Sequence, residues 1–552
     1  MNLKRLLLRP AARLAATHAY LTLRAFVNSH RRTREVQDRL LASLIARARE
    51  TAFGRDHGLA AVRTYDEFVK AVPLGNYDTL EPYMQRVLAG ETTALLPADQ
   101  PVLMFSRTSG TTGEPKHIPV TPAFAAHLKR TFSVFGYKAL SDHKEVWLRP
   151  ILTITSPTRE VDSPTGLPCG AISGLLNDKQ IRLVRRLYTV PSQVKTIGHP
   201  VAKYYAALRC SIPRDVSFIT TANPSSTIQL IETGQQHVER LIRDIADGTL
   251  TPPEPIDPAT AASLRFRPNR KLARRLEEGL RRDGQLLPRH FWNVAFLANW
   301  TGGTLKLYLP RLRELFDNIP IRDIGLVASE GRFSIPLADG TPAGVAEITA
   351  NVLEFIPADQ HDKPDPTALR PDEVDIGGEY FLVVTNHAGL WRYNLDDRIR
   401  VVDRLGQSPV FEFLCRGLHT ANITGEKITE HQVVEAMKSA SAATGHRVDR
   451  FIMQGHFDSP PYYELRAEAV DGELLSLVGA VDQALGRLNI EYAAKRSSGR
   501  LGPIQAVILP TGTLERIEIE TIRSRLGRSE QYKHQYLLTD VLTDSPSSPA
   551  NA

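Results

Sequence analysis

The sequence predicts an α/β protein with a large, multilayer N-terminal body and a smaller α+β segment behind it. Two observations carry that prediction. Strand-like and helix-like patterns alternate over the first three-quarters of the 552 residues, as in layered sheet-and-helix bodies. Within that alternation the apolar run Pro101-Val-Leu-Met-Phe105 reads as a strand and leads into Ser106-Arg-Thr-Ser-Gly-Thr-Thr-Gly-Glu-Pro-Lys-His-Ile-Pro119. Gly110 and Gly113 let the backbone turn successive amide N–H groups toward one point, and Ser109, Thr111, Thr112 and Lys116 add further donors. Glu114 is the one acid in the stretch. At a strand's carboxyl end, this is what holding a polyphosphate requires. The spacing is not that of the Walker loop.

The other elements follow in order. Val36, Leu40, Leu41, Leu44 and Ile45 repeat at helical spacing over residues 35–55. Residues 74–95 read as mixed and loop-rich. Helices are expected at Phe124–Tyr137, Leu183–Val190, Pro200–Cys210 and Gln229–Asp247, with a short strand at Val216–Thr221. Thr251–Pro268 is rich in proline and alanine and reads as a surface excursion. The arginines of Arg267–Arg289 read as a solvated helix face rather than a nucleic-acid patch. Trp300-Thr-Gly-Gly-Thr304 starts a turn and Tyr308–Phe316 a helix. Residues 324–405 are strand-rich, with strands expected at Val345–Thr349, Val352–Ile356 and Tyr380–Val384. Past Arg416, strands are expected near Phe451–Gln454, Tyr463–Arg466 and Gln505–Leu509. Residues 543–552 are poor in hydrophobics and read as a disordered tail.

Hydrophobic residues at 42% and charged residues at 23% are ordinary for a soluble globular protein. Cys169, Cys210 and Cys415 are odd in number and far apart, so neither a disulfide framework nor a zinc spacing emerges and a reducing cytoplasm fits. The net charge of +7 suits an enzyme that handles anionic nucleotides as well as it suits nucleic acid or membrane. Lys4, Arg5, Arg9, Arg13, Arg24, Arg31, Arg32 and Arg34 all precede the first acid, Glu35. Arg9 and Arg13 interrupt any apolar core, which excludes a secretory signal and a membrane span. A helical arm packed on the body, a basic helix in weak peripheral contact with anionic membrane, and a cleaved transit peptide stay open for residues 1–34.

The loop string is similar to the phosphate-binding signature of the adenylate-forming superfamily, which includes acyl-CoA synthetases, firefly luciferase and peptide-synthetase adenylation domains. Within it the chain most resembles the auxin-responsive Gretchen Hagen family of acyl acid amido synthetases, in a form typical of bacteria. The matching segments are Ile324-Gly-Leu-Val-Ala-Ser-Glu330, Thr385-Asn-His-Ala-Gly-Leu-Trp-Arg-Tyr-Asn-Leu-Asp-Asp397, Phe411-Glu-Phe-Leu-Cys-Arg416 with Thr424-Gly-Glu-Lys427, and Ser529-Glu-Gln-Tyr-Lys533. The resemblance implies an adenylation domain over 1–415, a mobile C-terminal lid domain over 416–542, and a hinge near Arg416.

It also implies roles. Ser109, Gly110, Thr111, Thr112, Gly113 and Lys116 hold the β- and γ-phosphates of ATP, with Ser329 among the cofactor contacts. Glu330 helps hold magnesium, an ion that usually bridges carboxylate and phosphate. Asp397 accepts both ribose hydroxyls, Tyr393 packs on the adenine or adenylate, and Arg416 contacts ribose or phosphate. Lys533 is the catalytic lysine, with Lys427 its competitor; His117 is a weaker candidate base. The chain departs from the family pattern at Asp396, where glycine is common, and at Asn394, where arginine is frequent. Asp396 therefore competes with Asp397 or perturbs it by like charge.

The reading is an ATP- and magnesium-dependent ligase that forms an acyl-AMP from a carboxylic acid and passes the acyl group to an amine, an amino acid. Its partners are these small molecules, without nucleic acid, and the chain is expected to act as a monomer. A thiol-using acyl-CoA synthetase and a nucleotide-binding scaffold without turnover remain as alternatives. The acyl pocket draws on scattered residues between about 120 and 350 and is not legible.

Overall fold

The computed structural model describes residues 9–107, 116–180, 182–361, 363–417, 420–421, 423–424, 426, 428–458, 460–468, 473–524 and 534–543. These fall into two units, one within Met1–Gly302 and Arg311–Phe413, the other within Gly303–Pro310, Leu414–Arg525 and Tyr532–Ala552.

The first unit is layered around three sheets. One runs His117–Val120, Met104–Arg107, Pro168–Gly170, Val161–Asp162 in spatial order. A second is wholly parallel and runs Ile151–Thr153, Phe218–Thr220, Phe296–Asn299, Ile321–Asp323. The third has six strands, ordered Ser334–Ile335, Gly344–Ala346, Ser408–Arg416, Tyr393–Leu405, Glu379–Asn386, Asn351–Pro357. The main core joins Phe105, Ile118 and Val120 to Phe355, Leu382, Val384, Leu395 and Ile399, all fully or almost fully buried.

Several expectations change. Residues 74–95 are not loop-rich: Tyr77–Leu88 is a helix that buries Tyr77, Leu80, Met84, Val87 and Leu88 despite Pro82 within it. Asn76 caps it, accepting from the amides of Asp78 at 2.9 Å and Thr79 at 3.4 Å. Gln229–Asp247 is two helices, Pro224–Gln236 and Val238–Asp247, parted at His237. Of Leu183–Val190, only the short turn of helix Arg182–Arg185 reaches into the range. The Val345–Thr349 strand stops at Ala346, because the Glu347 carboxylate accepts from the amides of Thr349 and Ala350 and turns the chain. Thr543, read as tail, closes the strand Leu537–Thr543, while residues 544–552 lie outside the described range.

The N-terminal helix Arg9–Ser29 packs on Pro122–Asp142, burying Phe26 with Val134, Ile335 and Val345 while Tyr20 and Leu21 stay exposed. His30 follows it, fully buried, with Nδ1 2.8 Å from Ser408 Oγ. Gly406, at φ +61°, passes so close that a Cβ there would lie 2.4 Å from the His30 carbonyl oxygen. Among the described residues no helix is long and apolar enough to cross a membrane.

The second unit holds a four-stranded sheet in the order Gln505–Ile508, Tyr462–Ala467, Phe451–Phe457, Leu537–Thr543. The central pair is antiparallel and both outer pairs are parallel. Helices Glu430–Thr444 and Glu473–Leu488 pack on each other, and Val433, Met437, Leu477 and Val481 share a core with Phe451, Met453, Tyr463 and Leu465. Thr429 and Gln432 form a capping box at the start of the first of these helices.

Burial lowers the His30 imidazole from 6.5 to about 4. Between those values the unfolded chain binds more protons than the fold. The stability His30 contributes is therefore complete above pH 6.5 and is lost as pH falls toward 4, by about 3 kcal/mol at most. Urea unfolding of the wild type and His30→Asn at pH 7 and pH 4.5 checks this. The acid-induced fall is expected to be smaller in the variant, and equal falls contradict the assignment.

Candidate active site

The glycine- and threonine-rich string lies in sequence between the two strands of a hairpin. Met104–Arg107 pairs antiparallel with His117–Val120, in the register Arg107 opposite His117 and Ser106 opposite Ile118. Ser106, Phe105, Ile118 and Val120 are buried, so the strands that carry the loop are anchored in the core. Ser109, Gly110, Thr111, Thr112 and Gly113 lie outside the described residues.

Side chains from two other segments gather where the loop begins and ends. Ser329 Oγ donates to the carbonyl oxygen of Arg107 at 3.3 Å. Lys116 Nζ stands 5.3 Å from the centroid of the Tyr77 ring, a cation–π contact. The amide of His117 donates to Tyr77 Oη at 3.2 Å. Burial raises the Tyr77 phenol pKa, the bond from the His117 amide lowers it, and the charges of Glu81 and Glu330 raise it again. Glu330 directly follows Ser329, which bonds Arg107 where the loop begins. The His117 ring packs edge-on against Phe105, at 6.4 Å between centroids.

Glu330 sits in the turn between the short strands Val327–Ala328 and Gly331–Arg332. Asn386 Nδ2 donates to its backbone carbonyl at 2.8 Å and to Asn351 Oδ1 at 3.1 Å, which ties the turn to the six-stranded sheet. The Glu330 side chain is buried, and its Oε1 has no hydrogen-bond partner among the described residues. A buried carboxylate oxygen left without a donor is costly, and a cation relieves that cost. One carboxylate plus substrate phosphates is the set magnesium favours, so Glu330 fits the ion. Among the described residues no group of three or more His, Cys, Asp or Glu forms an all-protein cage.

Tyr393 joins this neighbourhood through the backbone. It bridges to Gly75, whose amide donates to Arg392 and whose carbonyl accepts from Asn394, two residues before Tyr77. Along Tyr393–Leu405 buried and half-buried residues alternate, and Tyr393, Leu395, Asp397 and Ile399 share the buried side. Asp396 does not share it. Its carboxylate is half exposed and lies 3.1 Å from His361 Nε2. Its backbone is left-handed at φ +62°, beside a register shift opposite Phe381–Val383. Glycine suits that backbone best, and aspartate is among the residues that tolerate it. Asp396 thus takes over a conformational task and turns its charge away from the side on which Asp397 lies.

Arg416 ends the strand Ser408–Arg416 and belongs to the second unit. Lys533 and Lys427 lie outside the described residues. The residue that sequence reading missed is Tyr77, the ring beneath Lys116, hidden because its helix read as loop.

The fold is that of solved acyl acid amido synthetases. AtGH3.15 acyl acid amido synthetase, solved in complex with 2,4-DB, superposes with a TM-score of 0.82 at 21% identity over 95% of each chain. A second structure, GH3.15 acyl acid amido synthetase, gives 0.81 at 21% identity, over 93% of this chain and 92% of that one. The profile of the GH3 family N-terminal domain matches residues 22–321, that of the central domain 346–416, and that of the C-terminal domain 431–541. The chain belongs to the GH3 family, and by class it is an acyl acid amido synthetase. Relatives include jasmonoyl–L-amino acid synthetase GH3.5 of Oryza sativa subsp. japonica, 24% identical over 93% of both chains. Indole-3-acetic acid-amido synthetase GH3.10 of Arabidopsis thaliana is 26% identical, over 87% of this chain and 88% of its own.

Calorimetric titration with AMP tests the two aspartates. Asp397→Ala is expected to weaken binding roughly ten- to a hundred-fold, the worth of a hydrogen bond to a charged group. Asp396→Gly, which keeps the left-handed backbone, is expected to bind AMP within about two-fold of wild type, a loss well short of one such bond. The reverse ranking moves the ribose contact to Asp396.

Proposed function

We propose that the chain uses ATP and magnesium to convert a carboxylic acid to an acyl-AMP, then joins the acyl group to the amine of an amino acid and releases AMP. The observation that carries the nucleotide half is the Glu330 carboxylate, buried with one oxygen lacking a hydrogen-bond partner among the described residues, directly after Ser329, which bonds Arg107 where the loop begins. Membership of the GH3 family supports the amide-forming half. The relatives' names specify jasmonoyl and indole-3-acetic acid substrates; only their shared class, a carboxylic acid and an amine, is carried over here. None of the three cysteines is in a disulfide, which suits a reducing cytoplasm.

A carboxylate resists attack because it is charged and resonance-stabilised, and adenylation supplies a leaving group. The work is mainly positioning and charge neutralisation. In this reading Ser109, Thr111, Thr112 and Lys116 orient the β- and γ-phosphates, and the backbone of Gly110 and Gly113 lets amide donors converge on them. Asp397 fixes the ribose, Tyr393 packs against the nucleotide, and Ser329 and Arg416 complete the contacts. Glu330 would hold magnesium, which neutralises phosphate charge when bound. The Lys533 ammonium stabilises the negative charge that builds on the α-phosphate as the acid attacks.

Acid-dependent exchange of pyrophosphate into ATP tests the first half, and mass spectrometry of products formed with amino acids or coenzyme A tests the acceptor. Exchange without any amide product overturns the amine half in favour of a thiol. Thr111→Ala or Thr112→Ala removes a donor to charged phosphate, so exchange should fall about ten- to a hundred-fold in at least one of them. Wild-type rates in both sink the loop assignment.

Lys533→Ala should block formation of acyl-AMP yet spare aminolysis of acyl-AMP supplied from outside, because amine attack needs chiefly positioning and the AMP leaving group. Single-turnover assays of each half-reaction decide it. Equal losses in both shift the role to Lys427.

A further inference from the structure

Arg332 ends the same hairpin that carries Glu330, and it is almost completely buried. Two of its nitrogens are used: Nε donates to the Ser334 carbonyl at 3.3 Å and Nη2 to the Ile324 carbonyl. Phe132 and Phe135, on the helix Pro122–Asp142, lie 4.6 and 4.8 Å from its guanidinium carbon. Nη1 has no acceptor among the described residues.

The nearby carboxylates do not supply one. Asp323 is committed to the amide and hydroxyl of Thr301 through Oδ2, at 2.5 and 2.7 Å, and to the amide of Gly325 through Oδ1, at 2.6 Å. Glu347 is committed through Oε1 to Thr349 and through Oε2 to Ala350. Their charges favour the ionised guanidinium against its burial, but among the described residues neither accepts a hydrogen bond from it. Two flanking positions of one turn thus carry buried charged atoms of opposite sign with no hydrogen-bond partner among the described residues, Glu330 Oε1 and Arg332 Nη1. A buried ionic N–H with no acceptor is costly, and such atoms persist where a ligand completes them.

We infer that Arg332 is a specificity-determining residue whose Nη1 donates to an oxygen acceptor on the acid substrate, in addition to the carboxylate that is activated. The substrate class is therefore a carboxylic acid with a second carboxylate, carbonyl or hydroxyl oxygen, its apolar part lying against the Phe132 and Phe135 side. The inference rests on the adenylation reading and deepens it. Arginine suits the task because its planar fork keeps two nitrogens on backbone carbonyls while the third reads a ligand.

The test is acid-dependent pyrophosphate exchange with matched pairs that differ by one acceptor: hexanoic and adipic acid, 4-methylbenzoic and 4-hydroxybenzoic acid. In the wild type the acceptor-bearing acid of at least one pair should have the higher kcat/KM, by roughly ten- to a hundred-fold. In Arg332→Met the ratio for that pair should fall toward one through the KM for the acid, with the KM for ATP unchanged. Arg332→Lys retains charge but not the fork, and should lie between. Should Arg332→Met fail to fold, the wild-type ratio and Arg332→Lys decide. No preference in the wild type, or a preference that persists in a folded variant, overturns the inference while leaving adenylation intact. Exchange with none of the acids overturns the adenylation reading, and this inference with it.

Discussion

The buried pair Arg392–Glu354 is the interaction on which the described part of the site depends. Arg392 Nη2 and Nε reach Glu354 at 2.8 to 3.1 Å, with side-chain exposures of 5% and 1%. Arg392 Nη1 also donates to the carbonyls of Val69 and Val72, and Tyr65 Oη donates to Glu354 at 2.8 Å. One guanidinium therefore joins the helix Tyr65–Ala71 to two strands of the six-stranded sheet. The chain leaving that helix runs through Gly75, which pairs with Tyr393, to Tyr77, which meets Lys116 and His117. Removing one partner of such a pair strands a buried charge and costs about 3–5 kcal/mol. It would also release the backbone that pairs Gly75 with Tyr393 and holds Tyr77 beside Lys116 and His117.

Backbone strain marks the same strand. Arg392 has φ +42° and Asp396 φ +62°, and each directly precedes a candidate nucleotide contact, Tyr393 and Asp397. Left-handed conformations cost non-glycine residues roughly 1–2 kcal/mol and persist where the surroundings over-determine them. At Arg392 the guanidinium network supplies that determination, together with the amide's bond to Thr385 Oγ1 at 2.8 Å. At Asp396 the amide donates to Asn394 Oδ1 at 2.9 Å. The two departures from the family pattern, Asn394 and Asp396, thus work on each other. The asparagine side chain holds the turn that glycine usually makes unaided.

The elements that frame the candidate site were legible in the sequence. The apolar run Pro101–Phe105 overlaps the strand Met104–Arg107, and the strands expected at Val352–Ile356 and Tyr380–Val384 lie within Asn351–Pro357 and Glu379–Asn386. Geometry was less legible. Tyr77 hid because Pro73, Gly75 and Pro82 argue for loop, while the cap at Asn76 and the apolar face of the helix overrule them. The parallel strands Ile151–Thr153 and Ile321–Asp323 are three residues each, too short to show a period. Asp396 is left-handed and its carboxylate lies 3.1 Å from His361 Nε2, a placement that no spacing rule encodes.

The hairpin Val327–Arg332 also explains why the site needs so much support around it. Buried charged atoms without partners, at about 1–3 kcal/mol each or more, are tolerated only where the neighbourhood is stable without them. Here Asn386 and Asn351 hold the turn by its carbonyls: Asn386 bonds Glu330, and Asn351 bonds Arg332 at 2.8 Å. Both asparagines face each other across paired strands, in the register Asn351 opposite Asn386. The turn's carbonyls are thus held by two neutral side chains, while the Arg332 guanidinium bonds the carbonyls of Ser334 and Ile324. In the proposed reading the remaining atoms, Glu330 Oε1 and Arg332 Nη1, meet ligands of opposite sign, a cation and an oxygen acceptor. Ligands that bind the fold and not the unfolded chain offset the deficit by mass action. The cost is present before substrate arrives and is recovered when it binds, so the orientation of both groups is set in advance of the chemistry.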